Sequence, residues 1–92
     1  GFGMTIIEAM SCGVPVVAFH NYGPDEIIRD KKDGFLIEHY DIEVFAQRVV
    51  DILKNTSLCE KLGENGVERS KDFSIEKLLP VFISYLQEVV ER

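Results

Sequence analysis

The sequence predicts an α/β fold that passes into an all-helical tail. Three observations predict it: a continuous β-branched run at residues 14–19, a second apolar run at Phe35-Leu36-Ile37, and helix-period apolar spacing from residue 41 onward. A strand, a short helix and a second strand make a compact parallel crossover. Two strands with four or five helices cannot bury a doubly wound sheet well, so the chain is expected to be a piece of something larger.

The elements follow from local chemistry. Residues 4–12 carry apolar side chains at Met4, Ile7, Ala9, Met10 and Cys12, with Gly13 as a stop signal, and read as a short, largely buried helix. Val14-Pro15-Val16-Val17-Ala18-Phe19 suits a strand covered on both faces, and Pro15 is tolerable near its start. His20-Asn21-Tyr22-Gly23 is a loop. Pro24 fits the first position of a short helix, where Asp25 and Glu26 complement the positive end of its dipole. Asp33-Gly34 ends that helix and Phe35-Leu36-Ile37 forms the second strand.

In the tail, Asp41 is the expected N-cap of a helix whose apolar face holds Ile42, Phe45, Ala46, Val49, Ile52 and Leu53. Ser57-Leu58-Cys59-Glu60 has the form of a capping box opening a further helix, which Gly63 and Gly66 weaken. Ser74 is expected to cap a last helix with Ile75, Leu78, Leu79, Phe82, Leu86, Val89 and Val90 on one face. Pro80 within it predicts a kink at Leu79, or a helix that starts afresh there.

Composition narrows the function classes. The 92 residues allow one small domain with a marginal core. A net charge of −6 and dispersed basic residues, with Lys31-Lys32 the only adjacent pair, argue against a nucleic-acid partner. Cys12 and Cys59 make neither a disulfide framework nor a metal site, so both are read as free thiols, Cys12 packed near the end of the first helix. No metal or other cofactor is expected. No apolar run is long enough to span a bilayer and no signal peptide is visible, which makes a cytoplasmic location the expectation.

The chemistry concentrates at the start. Gly1-Phe2-Gly3 lets the backbone approach a ligand closely, and the first amides of the following helix have no internal partners, which favours an anion there. Glu8, further along that helix, can accept hydrogen bonds from sugar hydroxyls. A plain loop-to-helix junction with a solvated Glu8 is the competing reading on spacing alone.

Residues 8–18, Glu-Ala-Met-Ser-Cys-Gly-Val-Pro-Val-Val-Ala, resemble the signature of family 4 retaining glycosyltransferases (glycosyltransferase group 1) with the GT-B fold. Gly23-Pro24-Asp25-Glu26-Ile27-Ile28 and Asp33-Gly34-Phe35-Leu36-Ile37 match the next two segments in register. The resemblance is detailed over residues 1–54 and looser beyond. It implies a partial Rossmann-like half of the C-terminal, donor-binding domain, with residues 1–40 as the motif-bearing α/β part and 41–92 as the helical tail.

Carried over by position, the resemblance implies donor contacts at Phe2, Gly3, Met4, Thr5, Ile7 and Glu8. Phe2 to Thr5 match the segment whose amides meet the donor diphosphate, Ile7 a position packed near the nucleoside, and Glu8 the glutamate on the donor ribose. The companion glutamate of the family would fall just before Gly1, so no catalytic residue is assigned within the chain. Glu26 matches a recurrent acidic position whose role is either loop-ordering or ligand-binding. His20, where many relatives carry Asp, is read as structural or solvated against a place near the cleft at the carboxyl end of a strand. Tyr22 is read as a loop anchor against a sugar-stacking residue, and His39 is assigned no role. The implied parent transfers a sugar from a UDP- or GDP-sugar to a glycan or lipid-linked acceptor, in polysaccharide or lipopolysaccharide synthesis. Its missing N-terminal domain would hold the acceptor and any membrane association. The chain alone is expected to be inactive. The alternatives are a noncatalytic nucleotide-diphosphate-binding module and a small α/β interaction module.

Overall fold

The computed structural model describes residues 4–21, 24–73 and 75–91. In order these form helix α1 (Met4–Ser11), strand β1 (Val17–Phe19), helix α2 (Pro24–Ile27), strand β2 (Phe35–Ile37), helix α3 (Ile42–Lys54), helix α4 (Thr56–Ser70), a 3-10 turn (Lys71–Phe73) and helix α5 (Ile75–Val90). β1 and β2 are parallel, with Val17 opposite Phe35 and Phe19 opposite Ile37. The Phe35 amide donates to the Val16 carbonyl at 2.9 Å and the His20 amide to the Ile37 carbonyl at 2.8 Å, so the pairing reaches one residue beyond β1 at each end.

The strand alternation sorts the core into two layers. Val16, Ala18 and Leu36 face Ile7 and Met10 of α1 and Ile27 and Ile28 of the α2 segment. Val17, Phe19, Phe35 and Ile37 face Phe45 and Ile52 of α3 and Leu58 and Leu62 of α4. The two-stranded sheet thus has helices on both faces, as its unbroken apolar runs require. Both strands are short, and β1 is only half-buried.

The turn between α1 and β1 is a Schellman motif. Gly13 takes the left-handed conformation (φ 75°), its amide donates to the Met10 carbonyl at 3.0 Å, and the Val14 amide reaches back to Ala9 at 3.0 Å. The turn also brings the chain against α4. A Cβ on Gly63 would overlap the Gly13 carbonyl oxygen, whereas one on Gly66 would meet Met10 at an ordinary 3.6 Å. The two helical glycines that read as weak points in the sequence are therefore the floor on which α1 rests.

Several expectations are corrected. α1 is half-buried rather than largely buried: Ile7 and Met10 are inside, while Met4, Thr5, Glu8 and Ser11 face outward. Cys12 is exposed instead of packed, following the last residue of α1 on the same exposed stretch as Ser11; both cysteines are free thiols. α4 starts earlier than the Ser57 pattern implied, since the Asn55 side chain accepts the Leu58 amide at 3.0 Å and caps the helix first. The Asp41 cap of α3 is as expected, accepting the Val44 amide at 3.2 Å. α5 runs without interruption through Pro80, so there is no fresh start: one lost ladder bond is outweighed by turns on both sides. Ser74 lies outside the described residues.

The apolar faces of the tail are only partly used. On α3, Phe45 and Ile52 pack into the core while Ile42 and Leu53 remain 70% and 80% exposed. On α5, Leu79, Leu86, Val89 and Val90 are all exposed.

The contrast between the two helical glycines is testable. Gly66→Ala adds helix propensity without a clash and should stabilise the fold by up to about 1 kcal/mol. Gly63→Ala must push α1 off α4 and should cost about 1–3 kcal/mol despite the same propensity gain. Urea unfolding of both variants checks the pair; equal effects would mean that α1 does not sit on α4 as described.

Candidate functional site

α1 leads through the tight turn at Gly13 into β1, and in a parallel α/β sheet a helix feeding a strand in this way runs back along it, which sets its N-terminus toward the carboxyl edge. That edge is where parallel α/β sheets bind ligands. α1 begins at Met4, and the first four amides of any helix have no partner in the ladder. Thr5 and Glu8 are both exposed and stand one turn apart, on the same side of the helix. Met4 is 39% exposed beside them. Ile7 is turned the other way: at 9% exposure it belongs to the core with Met10, Ile27 and Ile28. The structure therefore brings Met4, Thr5 and Glu8 together on one outward surface and separates Ile7 from them. Phe2 and Gly3 lie outside the described residues.

A second group gathers where β1 ends. His20, Asn21, Asp25 and Glu26 line an open depression of about 310 Å³. The Asp25 carboxylate accepts the Asn21 amide at 2.9 Å and stands 3.1 Å from His20 Nδ1, while the Asn21 carbonyl accepts the Asp25 amide at 3.1 Å. This reciprocal clasp orders the entry to α2. The Asn21 amide, and after it the His20 ring, hold the Asp25 carboxyl below its usual range, with slight burial working the other way. His20 Nε2 is also 3.9 Å from Glu38, which follows β2. His20 is thus tied to both strand ends. Tyr22 and Gly23 lie outside the described residues.

The sequence offered no sign of what holds α2 in place. Arg69, on α4, donates from Nε to the Ile27 carbonyl at 2.7 Å and from its terminal nitrogen to the Glu26 carbonyl at 3.1 Å. These are carbonyls at the end of a helix of a single turn, left without ladder partners. The guanidinium is also held by Asp72 at 3.1 Å and lies over the Phe73 ring at 4.7 Å. After α2, Asp33 is fully buried, accepting both the amide and Nε of Arg29 at 2.7 Å. An acidic residue before a glycine signals a turn, but only the fold shows that its carboxylate closes one. Among the described residues, no group of three or more His, Cys, Asp or Glu is placed to hold a metal, and no helix is long and apolar enough to cross a membrane.

Residues 1–69 match the family described as glycosyl transferases group 1. The chain belongs to that family. Among its relatives, the glycosyltransferase EpsD of Bacillus subtilis is 36% identical over 94% of this chain and 24% of its own length. The poly(ribitol-phosphate) alpha-N-acetylglucosaminyltransferase of Staphylococcus aureus is 39% identical over 91% of the chain and 18% of its own length. The structure of sucrose-phosphate synthase from Thermosynechococcus elongatus superposes on 98% of the chain and 23% of its own, with a TM-score of 0.77 and 30% identity. The chain therefore spans about a quarter or less of these group 1 relatives, and its α/β architecture is that of the matching part of a GT-B glycosyltransferase.

Two measurements check the site. Arg69→Met should cost about 1–3 kcal/mol by removing charged hydrogen bonds to the Ile27 and Glu26 carbonyls, and Arg69→Lys should recover only part of it, since an ammonium lacks the guanidinium fork. Unfolding curves that show the lysine variant equal to the parent chain would refute the fork. The second concerns pH. A folded carboxyl held low contributes stability that is complete above its unfolded value and is lost as pH falls through the folded one. NMR titration of Asp25 should accordingly give a midpoint below the ordinary 3.8, with the Asn21 amide resonance moving in step. A midpoint at or above that value would show that the clasp does not form.

Proposed function

We propose that the chain is part of the nucleotide-sugar-binding domain of a retaining glycosyltransferase, one that moves a sugar from a UDP- or GDP-sugar to a glycan or lipid-linked acceptor. The observation that carries this reading is the start of α1, with exposed Thr5 and Glu8, at the carboxyl edge of the sheet in a group 1 chain. Polysaccharide synthesis fits the poly(ribitol-phosphate) alpha-N-acetylglucosaminyltransferase activity for which the Staphylococcus aureus relative is named.

In this reading the free amides of the first turn of α1, with the Gly1-Phe2-Gly3 segment before it, receive the donor diphosphate. Negative charge builds on that diphosphate as the bond from the sugar breaks. Fixed amide dipoles aimed at the developing charge stabilise it without needing to reorganise. Glu8 accepts hydroxyl hydrogens of the donor ribose, a role for which an exposed carboxylate one turn into the helix has the reach. Ile7 acts from beneath, anchoring the helix to the Met10, Ile27 and Ile28 cluster so that the amides keep their direction. The group that attacks the sugar carbon belongs to the acceptor, and the second glutamate of the family pair lies outside the sequence. The chain by itself binds the donor and does not turn it over.

The test is an amide-resolved NMR titration with UDP and with GDP. Shifts at Met4, Thr5 and Glu8 are expected, and Glu8→Gln should weaken binding about fivefold, equivalent to one modest hydrogen bond of about 1 kcal/mol. Shifts confined to other surfaces, or none at millimolar nucleotide, would overturn the donor reading. Turnover of a nucleotide sugar by the 92-residue chain alone would overturn the assignment of catalysis to residues outside it.

A further inference from the structure

The rim beyond the strand ends carries a feature that the donor site does not use. Residues 38–41 turn tightly: the Asp41 amide donates to the Glu38 carbonyl at 3.0 Å, and the Ile42 amide to the Tyr40 carbonyl at 2.9 Å. At its tip Tyr40 adopts the left-handed conformation, φ 67°. For a bulky side chain this is an outlier with an energetic cost that glycine or asparagine would avoid. The ring gains no core packing in return, because Tyr40 is 77% exposed. It lies against the His39 ring, 3.9 Å away centre to centre and tilted by 46°. His39 in turn meets the edge of Phe19 at 6.3 Å, and Phe19 stacks on Phe45 at 4.7 Å. A row of four rings thus runs from the core to an exposed tyrosine at the carboxyl edge of the sheet.

Polar groups flank the row. Glu38 and His20 are 3.9 Å apart, and His20 opens onto the depression it shares with Asn21, Asp25 and Glu26. The described residues 20, 21, 24–26 and 38–41 include no lysine or arginine, and their carboxylates are Asp25, Glu26, Glu38 and Asp41. Such a rim repels phosphates and carboxylates. It suits a neutral ligand with one flat apolar face and several hydroxyls, because a ring offers its face to C–H groups while carboxylates and imidazole accept or donate at the edge. Backbone strain held at an exposed ligand-facing edge is a recognised mark of a functional position.

We propose that Tyr40, backed by His39 and flanked by Glu38 and His20, forms a carbohydrate subsite that stacks the apolar face of a neutral sugar and binds its hydroxyls. Its position at the same sheet edge as α1 makes it a contact for the sugar that receives, rather than for the nucleotide that leaves. That last assignment rests on the glycosyltransferase reading above; the sugar contact itself does not.

The experiment is an NMR titration of the 92-residue chain, without nucleotide, using methyl glucoside, methyl N-acetylglucosaminide and maltotriose at about 50 mM, a range suited to weak sites. Glucuronate serves as the charged control. Shifts at Phe19, His20, Glu38, His39 and Tyr40 are expected with a neutral sugar and not with glucuronate. Tyr40→Phe should keep the affinity, and Tyr40→Asn should lower it about tenfold, as loss of a stacked ring does. Tyr40→Asn should at the same time leave the melting temperature unchanged or raise it, because asparagine accepts the left-handed conformation. The proposal is overturned by an absence of shifts at these residues, by shifts that survive Tyr40→Asn, by a preference for glucuronate, or by a lower melting temperature in Tyr40→Asn, which would make the ring structural. Shifts that grow with protein concentration in the absence of sugar would identify a second copy of the chain as the occupant and overturn it too. Neutral sugars acting at the rim while UDP leaves Met4, Thr5 and Glu8 unmoved would support the subsite and refute the donor reading; the reverse pattern would do the opposite.

Discussion

The close approach of α1 to α4 governs this structure. The Gly13 carbonyl rests where a side chain on Gly63 would have to stand, and Met10 lies against Gly66. Two helices of ordinary composition keep about 8–10 Å between their axes, and glycine allows less. The helical weakness of Gly63 is accepted for that contact, while Gly66 has room for a methyl group beside Met10. Everything ligand-facing depends on it, because the direction of the free amides of α1 is the direction of the helix, and α4 sets the helix.

α4 sets the other half of the edge as well. Arg69 reaches the last carbonyls of α2, so the segment bearing Asp25 and Glu26 is fixed by the same helix that carries Gly63 and Gly66. A one-turn helix has no ladder to speak of and would not hold its shape alone. The His20–Asp25 clasp then joins α2 to the end of β1, and Glu38 lies within reach from the end of β2. The carboxyl edge is therefore a set of short pieces pinned from behind by one long helix.

What the sequence showed and what it hid divide along this line. The parallel crossover was legible because apolar runs flanking a short helix admit few other arrangements, although the first strand occupies only residues 17–19 of the 14–19 run. The Asp41 cap was legible because its partner, Val44, is three residues away. The start of α4 was misread by two residues because Asn55 and Ser57 both have capping chemistry, and only geometry decides between two nearby caps. Gly63, Gly66 and Arg69 were opaque for a different reason: each acts on a residue about 40 to 60 positions away, where no local pattern reaches. At the site, Thr5 and Glu8 are placed outward together, while Ile7, grouped with them by resemblance, is a core residue. The strain at Tyr40 leaves no trace in composition or periodicity.

The long reach of α4 also bears on the order in which the chain is made. α1 leaves the ribosome before α4, and the residues it rests on come 50 or more positions later. At about 5–20 residues per second that is a wait of roughly 3–10 s, during which an eight-residue helix is too short to persist in water. The segment that would grip a phosphate therefore begins as loose chain and acquires its shape only when the tail arrives. Nascent chains of this family segment should accordingly expose Ile7 and Met10 to chaperones until α4 is synthesised, so the portion most recognisable by sequence waits on a helix that follows it.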